Sequence, residues 1–371
     1  MSSYKQTAQS ILDLAGIEIN GDKPWDIQVH DDRVYQRVLA EGSLGLGESY
    51  MDRWWDCEKL DEFFYRVLKG NLAEKVKSRG VLWNVLKAGL INMQNKLRAF
   101  EVGERHYDIG NELFEHMLDR RMVYTCGYWR DADNLDDAQE SKLELTCRKI
   151  GLKPEMKVLD IGCGWGSFAK YAAENYGVEV VGITISKEQV ELGNELCRGL
   201  PVEIRLQDYR DLKDERFDAI VSLGMFEHVG PKNYRTYMQK VSDCLKDNGL
   251  FLLHTIGSNV SNKIGDRWID KYIFPNEVLP SARQITNASE KLFVLEDWHS
   301  FGADYDKTLI AWHDNFEKNW DKIKESYSER FKRMWDYYLL SCAGGFRARE
   351  HQLWQIVFSK NGVEGGYESV R

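Results

Sequence analysis

The sequence predicts an α/β protein: a mostly parallel seven-stranded sheet with helices on both faces, joined to a smaller, mainly helical N-terminal domain. Three observations predict it. From residue 150 onward, short apolar runs alternate with amphipathic stretches, the pattern of a parallel sheet covered by helices. Glycines 162, 164 and 166 follow the first of these runs and precede a helical stretch. Residues 1 to 100 read instead as short helices and turns. The break is therefore placed near residue 100, dividing the chain into 1–100 and 101–371.

In chain order, EGSLGLGESYMDRWW (41–55) reads as a glycine-punctuated junction. Residues 78–100 read as a helix, because Leu82, Val85, Leu86, Leu90, Met93 and Leu97 keep the i, i+3/i+4 spacing of one apolar stripe. KVLDIG (157–162) is a short buried strand and 167–176 a helix. VEVVGIT (178–184) is a strand and 187–197 a helix. VEIRLQ (202–207) and FDAIVSLG (217–224) are strands, and 233–245 is a helix. GLFLLHTIG (249–257) and LFVLEDW (292–298) are further strands. Two long helices, 306–323 and 329–340, precede QLWQIVFSK (352–360), which closes the sheet.

Composition excludes several classes. Hydrophobic residues are 43% and charged residues 29% of the 371, a globular balance that excludes a disordered or fibrous chain. No apolar run approaches the ~18–20 residues that span a bilayer. The first residues, MSSYKQTAQS, lack a basic then apolar leader pattern, so a cytosolic location is expected. The seven cysteines, at 57, 126, 147, 163, 197, 244 and 342, form no C-x-x-C pair, so neither a zinc site nor a disulfide framework is expected. A net charge of −9 gives no bulk basic footprint for nucleic acid. The charge is uneven, however. Arg66, Lys69, Lys75, Lys77, Arg79, Lys87, Lys96 and Arg98 against Glu74 make residues 66–100 a +7 island in a chain that is otherwise −16. Such an island suits an anionic surface.

The chemistry-bearing motifs fall where the predicted strands end. VLDIGCGWG (158–166) has glycines spaced G-x-G-x-G; Ser167 stands where a dinucleotide fingerprint needs its third glycine, which disfavours NAD. The motif resembles motif I of S-adenosylmethionine-dependent methyltransferases, which makes the expected fold class I methyltransferase-like (Rossmann-like). Thr184 and Gln189 follow the second strand. Gln207, Asp208 and Tyr209 follow the third and suit an adenine ring and its amino group, although Asp208 can equally cap a turn. Glu227, in GMFEHVGPKNY (224–234), follows the fourth strand and can be either a pocket carboxylate or a surface cap. His254 ends an otherwise apolar strand and can be a core or a functional histidine. Cys126, in YTCGYW (124–129), has the surroundings of a buried thiol.

Taken together, EGSLGLGESYMD, HYDIGNELF, YTCGYW, VLDIGCGWG, GMFEHVGPKNY, LLHTIGS, DKYIFPN, FGADYDKTL, YSERFKRM, CAGGFRAR and QLWQIVFS resemble the bacterial cyclopropane-fatty-acyl-phospholipid synthases over nearly the whole chain. The related mycolic acid cyclopropane synthases share the catalytic half without the N-terminal extension. The resemblance implies methylene transfer from S-adenosylmethionine to a cis double bond of an acyl chain in an intact membrane phospholipid. It implies that Tyr124, Thr125, Gly162, Gly164, Gly166, Thr184, Gln189, Gln207, Asp208 and Tyr209 hold the cofactor. It further implies a bicarbonate pocket formed by Cys126, Glu227, His254, the Ile256 amide and Tyr305. Cys342 is counted with this catalytic set as a residue lining the pocket, not as a nucleophile. Tyr305, Tyr272, Phe274 and Trp298 are candidates to face a carbocation. Gly127 and Ser167 depart from the commoner small residues of the pattern and remove no functional group. A homodimer, no metal and a cytoplasmic protein peripheral to the inner membrane complete these expectations. The rivals are a methyltransferase that makes methyl-branched chains and a lipid-binding protein without catalysis.

Overall fold

The computed structural model describes residues 3–70, 110–213 and 215–371. The helix expected at 78–100, and with it most of the basic island, lies outside these residues. The described residues fall into two compact units, each made of separated stretches of chain. One contains the N-terminal residues to 70 with Lys263–Pro275 and Tyr305–His351; the other contains residues 110–262, Asn276–Asp304 and Gln352–Arg371. A single break at residue 100 does not describe this division, since two later stretches return to the N-terminal unit.

The N-terminal unit is mainly helical. Helices Ser3–Leu12, Arg33–Glu41, Ser43–Met51 and Leu60–Lys69 surround a two-stranded antiparallel ribbon of β1 (Gln28–Val29) and β2 (Trp55–Asp56). The returning helices Arg267–Tyr272 and Glu329–Arg347 complete its core. The expected glycine-punctuated junction is instead the helix Ser43–Met51. Its glycines serve close packing within a helix. A Cβ on Gly45 would stand 2.6 Å from the Arg37 carbonyl oxygen, and one on Gly47 would stand 2.8 Å from Trp268 Cγ. Trp268 is buried and packs on Tyr337, with ring centroids 4.4 Å apart. Gly47→Ala should therefore cost the overpacking penalty of about 1–3 kcal/mol. A thermal melt should show the midpoint lowered by roughly 2–12 °C; an unchanged midpoint would contradict the packing argument.

The other unit holds the seven-stranded sheet, in the order β5-β4-β3-β6-β7-β9-β8. The strands are β3 (Lys157–Ile161), β4 (Glu179–Thr184), β5 (Val202–Leu206), β6 (Phe217–Leu223), β7 (Leu245–Ser258), β8 (Val294–Ser300) and β9 (His351–Ser359). The pairs β3–β4, β4–β5, β3–β6 and β6–β7 are parallel, and β8–β9 is antiparallel. Val158, Leu159 and Ile161 of β3 are all buried, as a strand covered on both faces requires. The expected helices appear as Ser167–Tyr176, Lys187–Leu196 and Tyr234–Cys244. The last two helical stretches are longer than the sequence indicated, at Ala303–Ile323 and Glu329–Arg347. Strand order runs outward from β3 to β5 on one side and from β6 to β7 on the other. The switch point lies between β3 and β6, where sheets of this kind open a crevice at their carboxyl ends.

Candidate functional site

The glycine turn leaves β3 and enters helix Ser167–Tyr176. Gly162, Gly164 and Gly166 have φ of +80°, +56° and +81°, a region that costs any other residue strain. The amides of Gly162 and Cys163 both donate to the Ile183 carbonyl, at 2.9 and 3.1 Å, tying the turn to the end of β4. A Cβ on Gly162 would stand 2.7 Å from Met225, so the turn closes onto the residue just past β6. At Gly164 a Cβ would meet nothing within 4 Å, so this flank of the turn is open.

Residues after β4 and β5 adjoin the turn. The Thr184 hydroxyl donates to Gln189 Oε1 at 2.5 Å, both buried. The Gln207 amide donates to the Thr184 carbonyl at 2.9 Å. Asp208 is buried and accepts from the Arg210 amide at 2.9 Å and from its guanidinium at 2.8 and 2.6 Å. It thereby caps the short turn Tyr209–Asp211, the plainer of its two expected roles. Tyr209 is buried with its ring edge-on to Tyr237, centroids 5.1 Å apart.

The segment Tyr124–Cys126 packs against the turn that follows β6. A Cβ on Gly224 would stand 2.5 Å from Thr125 Cγ2. The Tyr124 ring meets Phe114 edge-on at 5.0 Å. Cys126 is fully buried, its Sγ 3.1 Å from the Gly127 carbonyl oxygen.

β6 ends at Leu223, and Gly224 turns the chain into the short turn Phe226–His228, which carries Glu227. Glu227 is 2% exposed. Its Oε1 accepts the Ile256 amide at 2.6 Å, while Oε2 has no hydrogen-bond partner among the described residues. Burial pushes its pKa up to about 7, against smaller opposing contributions from backbone hydrogen bonds. His254, beside Leu223 in the β6–β7 pairing, is 1% exposed. Gln355 Nε2 approaches its Nδ1 at 3.4 Å, and its Nε2 has no partner among the described residues. With Nδ1 accepting from this amide, the neutral ring would carry its proton on Nε2. Burial holds the His254 pKa well below the usual value, with Lys142 and Lys149 adding to the effect, so the ring is neutral.

The structure thus brings together Glu227, the Ile256 amide and His254, and Cys126 follows Thr125, which packs against Gly224. Tyr305 and Cys342 belong to the N-terminal unit. There Tyr305 is buried against Phe346 and Trp312, at centroid distances of 4.6 and 5.9 Å. Cys342 lies half-buried on Glu329–Arg347. The Arg347 guanidinium is held by Asp306 and Asp61, at 2.9 and 2.8 Å, so its charge is already matched.

Three buried polar residues of this region have no role predicted from the sequence: Gln139 and Lys142, which lie outside the motifs, and Gln355, within QLWQIVFS. Gln139 and Lys142 sit on helix Leu135–Lys149, which starts at an Asn134 cap accepting from the Asp137 amide at 3.0 Å. Asn134 followed by Asp136 and Asp137 is a helix-start signal that the sequence does contain.

The family described as mycolic acid cyclopropane synthetase matches residues 94–356. The cyclopropane-fatty-acyl-phospholipid synthase of Escherichia coli K12 is 57% identical over 371 residues, covering 100% of this chain and 96% of that protein. The sphingolipid C9-methyltransferase of Komagataella phaffii is 34% identical, covering 90% of this chain and 74% of that protein. Among solved structures, a Mycobacterium tuberculosis cyclopropane synthase superposes with a TM-score of 0.67 at 29% identity, covering 72% of this chain and 100% of that one. A mycolic acid cyclopropane synthase complexed with SAH and CTAB superposes with a TM-score of 0.66 at 32% identity, covering 70% and 98%.

Proposed function

The chain belongs to the mycolic acid cyclopropane synthetase family, and from that premise we propose that it places a methylene bridge across the cis double bond of an unsaturated acyl chain in a membrane phospholipid, with bicarbonate as the base. It is an S-adenosylmethionine-dependent enzyme that forms cyclopropane rings on lipids. Its fold is that of the class I methyltransferases.

The residues present fit the donor. The open flank at Gly164 and the positive-φ glycines give a cradle without side chains, and Asp208, Thr184 and Gln189 supply buried polar groups next to it. S-adenosylmethionine would be held by these residues with Tyr124, Thr125, Gly162, Gly166, Gln207 and Tyr209, and it supplies the one-carbon unit from its sulfonium. An alkene is a weak nucleophile, so holding donor and double bond in line provides much of the acceleration; ~7–11 kcal/mol is available from this source in favourable cases. The same dryness that raises the Glu227 pKa keeps water from a developing cation.

One observation carries the bicarbonate part of the reading. Two buried polar atoms, Glu227 Oε2 and His254 Nε2, have no partner among the described residues; the first is an acceptor, and the second is a donor when Nδ1 accepts from Gln355. Bicarbonate offers both complements, and bound there it would supply a base for the proton leaving the new methyl group. Glu227 would accept from its hydroxyl and His254 would donate to its anionic oxygens, with Cys126 and the Ile256 amide as further members of the set in the same unit. The test uses purified protein, S-adenosylmethionine and vesicles of a cis-monounsaturated phospholipid. Mass spectrometry should show a gain of CH2 and NMR a ring in place of the double bond. Removing bicarbonate should slow the reaction and restoring it should recover the rate. A gain of CH2 without a ring would indicate the branching methyltransferase; no gain would indicate a binding protein.

No helix among the described residues is long and apolar enough to cross a membrane. Peripheral docking at the cytoplasmic face of the inner membrane is therefore part of the proposal, as is a homodimer. The basic island supports docking: a Lys or Arg near an anionic surface contributes ~1 kcal/mol. Replacing Lys75, Lys77, Arg79 and Lys87 by Gln should weaken vesicle binding most on anionic lipid at low salt, where screening is least. Activity on detergent-dispersed substrate should change far less. Equal binding of variant and wild type under those conditions would move attention to Arg330, Lys332 and Arg333.

A further inference from the structure

Helix Leu135–Lys149 buries a row of polar side chains where a core-facing stripe is ordinarily apolar. Gln139, Lys142 and Thr146 are each 0% exposed and, spaced three and four residues apart, share one face of the helix. Each reaches a part of the site. Gln139 Nε2 donates to the Thr125 carbonyl at 2.8 Å. Lys142 Nζ donates to the Thr125 hydroxyl at 2.9 Å. Thr146 Oγ1 accepts from Gln355 Nε2 at 3.2 Å, the same amide that faces His254 Nδ1.

A fully buried lysine is expensive and needs a reason. As a packing residue it would be better replaced by Met or Leu. Its neighbours are chosen, however. Asp160, at the end of β3 before the glycine turn, has an Oδ1 without a partner among the described residues, and Lys142 opposes the rise that burial causes in the Asp160 pKa. Asp119 accepts the Val123 and Arg121 amides at 2.8 and 2.9 Å, fixing the start of the chain that leads into Tyr124. Asp119 is also the carboxylate whose charge most favours the ammonium form of Lys142. Burial lowers the Lys142 pKa to about 8, which still leaves it mostly charged at neutral pH. A single cation therefore sits between the strand that carries the glycine turn and the segment that carries Thr125 and Cys126.

We propose that Lys142 is a positioning residue for methylene transfer: its ammonium pins Thr125, and through it the Tyr124–Cys126 segment, against the cofactor-binding end of the sheet. The same helix face reaches His254 through Thr146 and Gln355. The inference rests on the reading that Tyr124 and Thr125 contribute to the donor site, and it adds a residue that touches neither donor nor acyl chain. In it, helix Leu135–Lys149 is the common support of the two halves of the site.

The test is a double-mutant cycle on the full-length protein, read by calorimetric binding of S-adenosylhomocysteine and by kcat and KM for S-adenosylmethionine. Lys142→Met keeps length and removes the charge; Thr125→Val removes the acceptor and keeps shape. Each should weaken S-adenosylhomocysteine binding about tenfold, and the pair together should lose no more than either alone, because both remove one contact. Thr125→Ser, which keeps the hydroxyl, should bind within about twofold of wild type. A merely structural lysine would lower the melting temperature without this non-additivity and without rescue by serine. Additive losses, or folded single variants that bind within twofold of wild type, would overturn the proposal. If Lys142→Met does not fold, Lys142→Gln takes its place in the same cycle: a tenfold loss that is not additive with Thr125→Val supports the proposal, and an additive loss or near-wild-type affinity overturns it. Failure of the wild-type protein to bind S-adenosylhomocysteine would instead overturn the functional reading on which the proposal rests.

Discussion

Glu227→Gln should bind S-adenosylmethionine as the wild type does and turn over at least a hundredfold more slowly. The substitution is isosteric. The Gln carbonyl can still accept the Ile256 amide that Glu227 Oε1 accepts at 2.6 Å, so the turn after β6 is kept. What disappears is the acceptor charge at Oε2, replaced by an amide N–H that repels the donors the pocket is shaped to receive. Misplacing a base costs roughly 10²–10⁴-fold. Loss of donor affinity equal to the loss of turnover would refute the assignment. The wild-type rate should fall as pH drops through about 7, where Glu227 takes up a proton, and the residual rate of the variant should lack that limb. The stability effect has the opposite sign. The folded-state pKa lies above the ordinary 4.5, so the wild type loses stability as pH rises from 4.5 through about 7. Above that window the ionised buried group costs on the order of 3 kcal/mol, and the variant should melt higher than wild type.

Gly162→Ala should abolish most donor binding while leaving the strands of the sheet intact. A residue with a Cβ at φ +80° carries about 1–2 kcal/mol of backbone strain. The added methyl would also meet Met225 Cβ and Cγ at 2.7 Å, and Met225 is set by the backbone of the turn after β6. Relief requires the turn to move away from the cradle it forms. A loss of at least tenfold in S-adenosylhomocysteine affinity by calorimetry is expected; affinity within twofold of wild type would show that the turn does not need its present path.

The sheet and its turn residues were readable because parallel strands announce themselves locally. β3, β4, β6 and most of β7 are apolar runs followed by glycine, threonine or a Glu-His pair, and that local pattern places residues at strand ends without knowledge of the rest. Asp208 shows the limit of this reading: the spacing put it at the crevice, and only the structure shows Arg210 holding both carboxylate oxygens. Helix Leu135–Lys149 was missed because its buried face includes Gln139, Lys142 and Thr146, which erase the apolar period that sequence reading depends on. The helix Ser43–Met51 was misread because Gly45 and Gly47 look like breakers unless the Arg37 carbonyl and the Trp268 ring are known to lie against them. The composite N-terminal unit had no local signal at all. Its pairing of Leu60–Lys69 with Glu329–Arg347 is a long-range contact, and no window of sequence contains both helices.

That composite unit has a consequence for how the chain is born. Gly344 lets helix Glu329–Arg347 approach Phe64 so closely that a Cβ there would stand 2.7 Å from Phe64 Cβ, and Tyr337 closes edge-on over the Phe64 ring at 5.1 Å. On the ribosome, Phe63, Phe64 and Trp55 emerge long before their partners. At roughly 5–20 residues per second, the interval between residue 70 and residue 351 is about 15–55 s. Throughout it the nascent N-terminus carries an apolar surface it cannot bury, while the glycine turn and β3 to β7 can already assemble. The packing thus ties the segment made first to one made near the end, so the core of this unit closes only after residue 347 has left the ribosome.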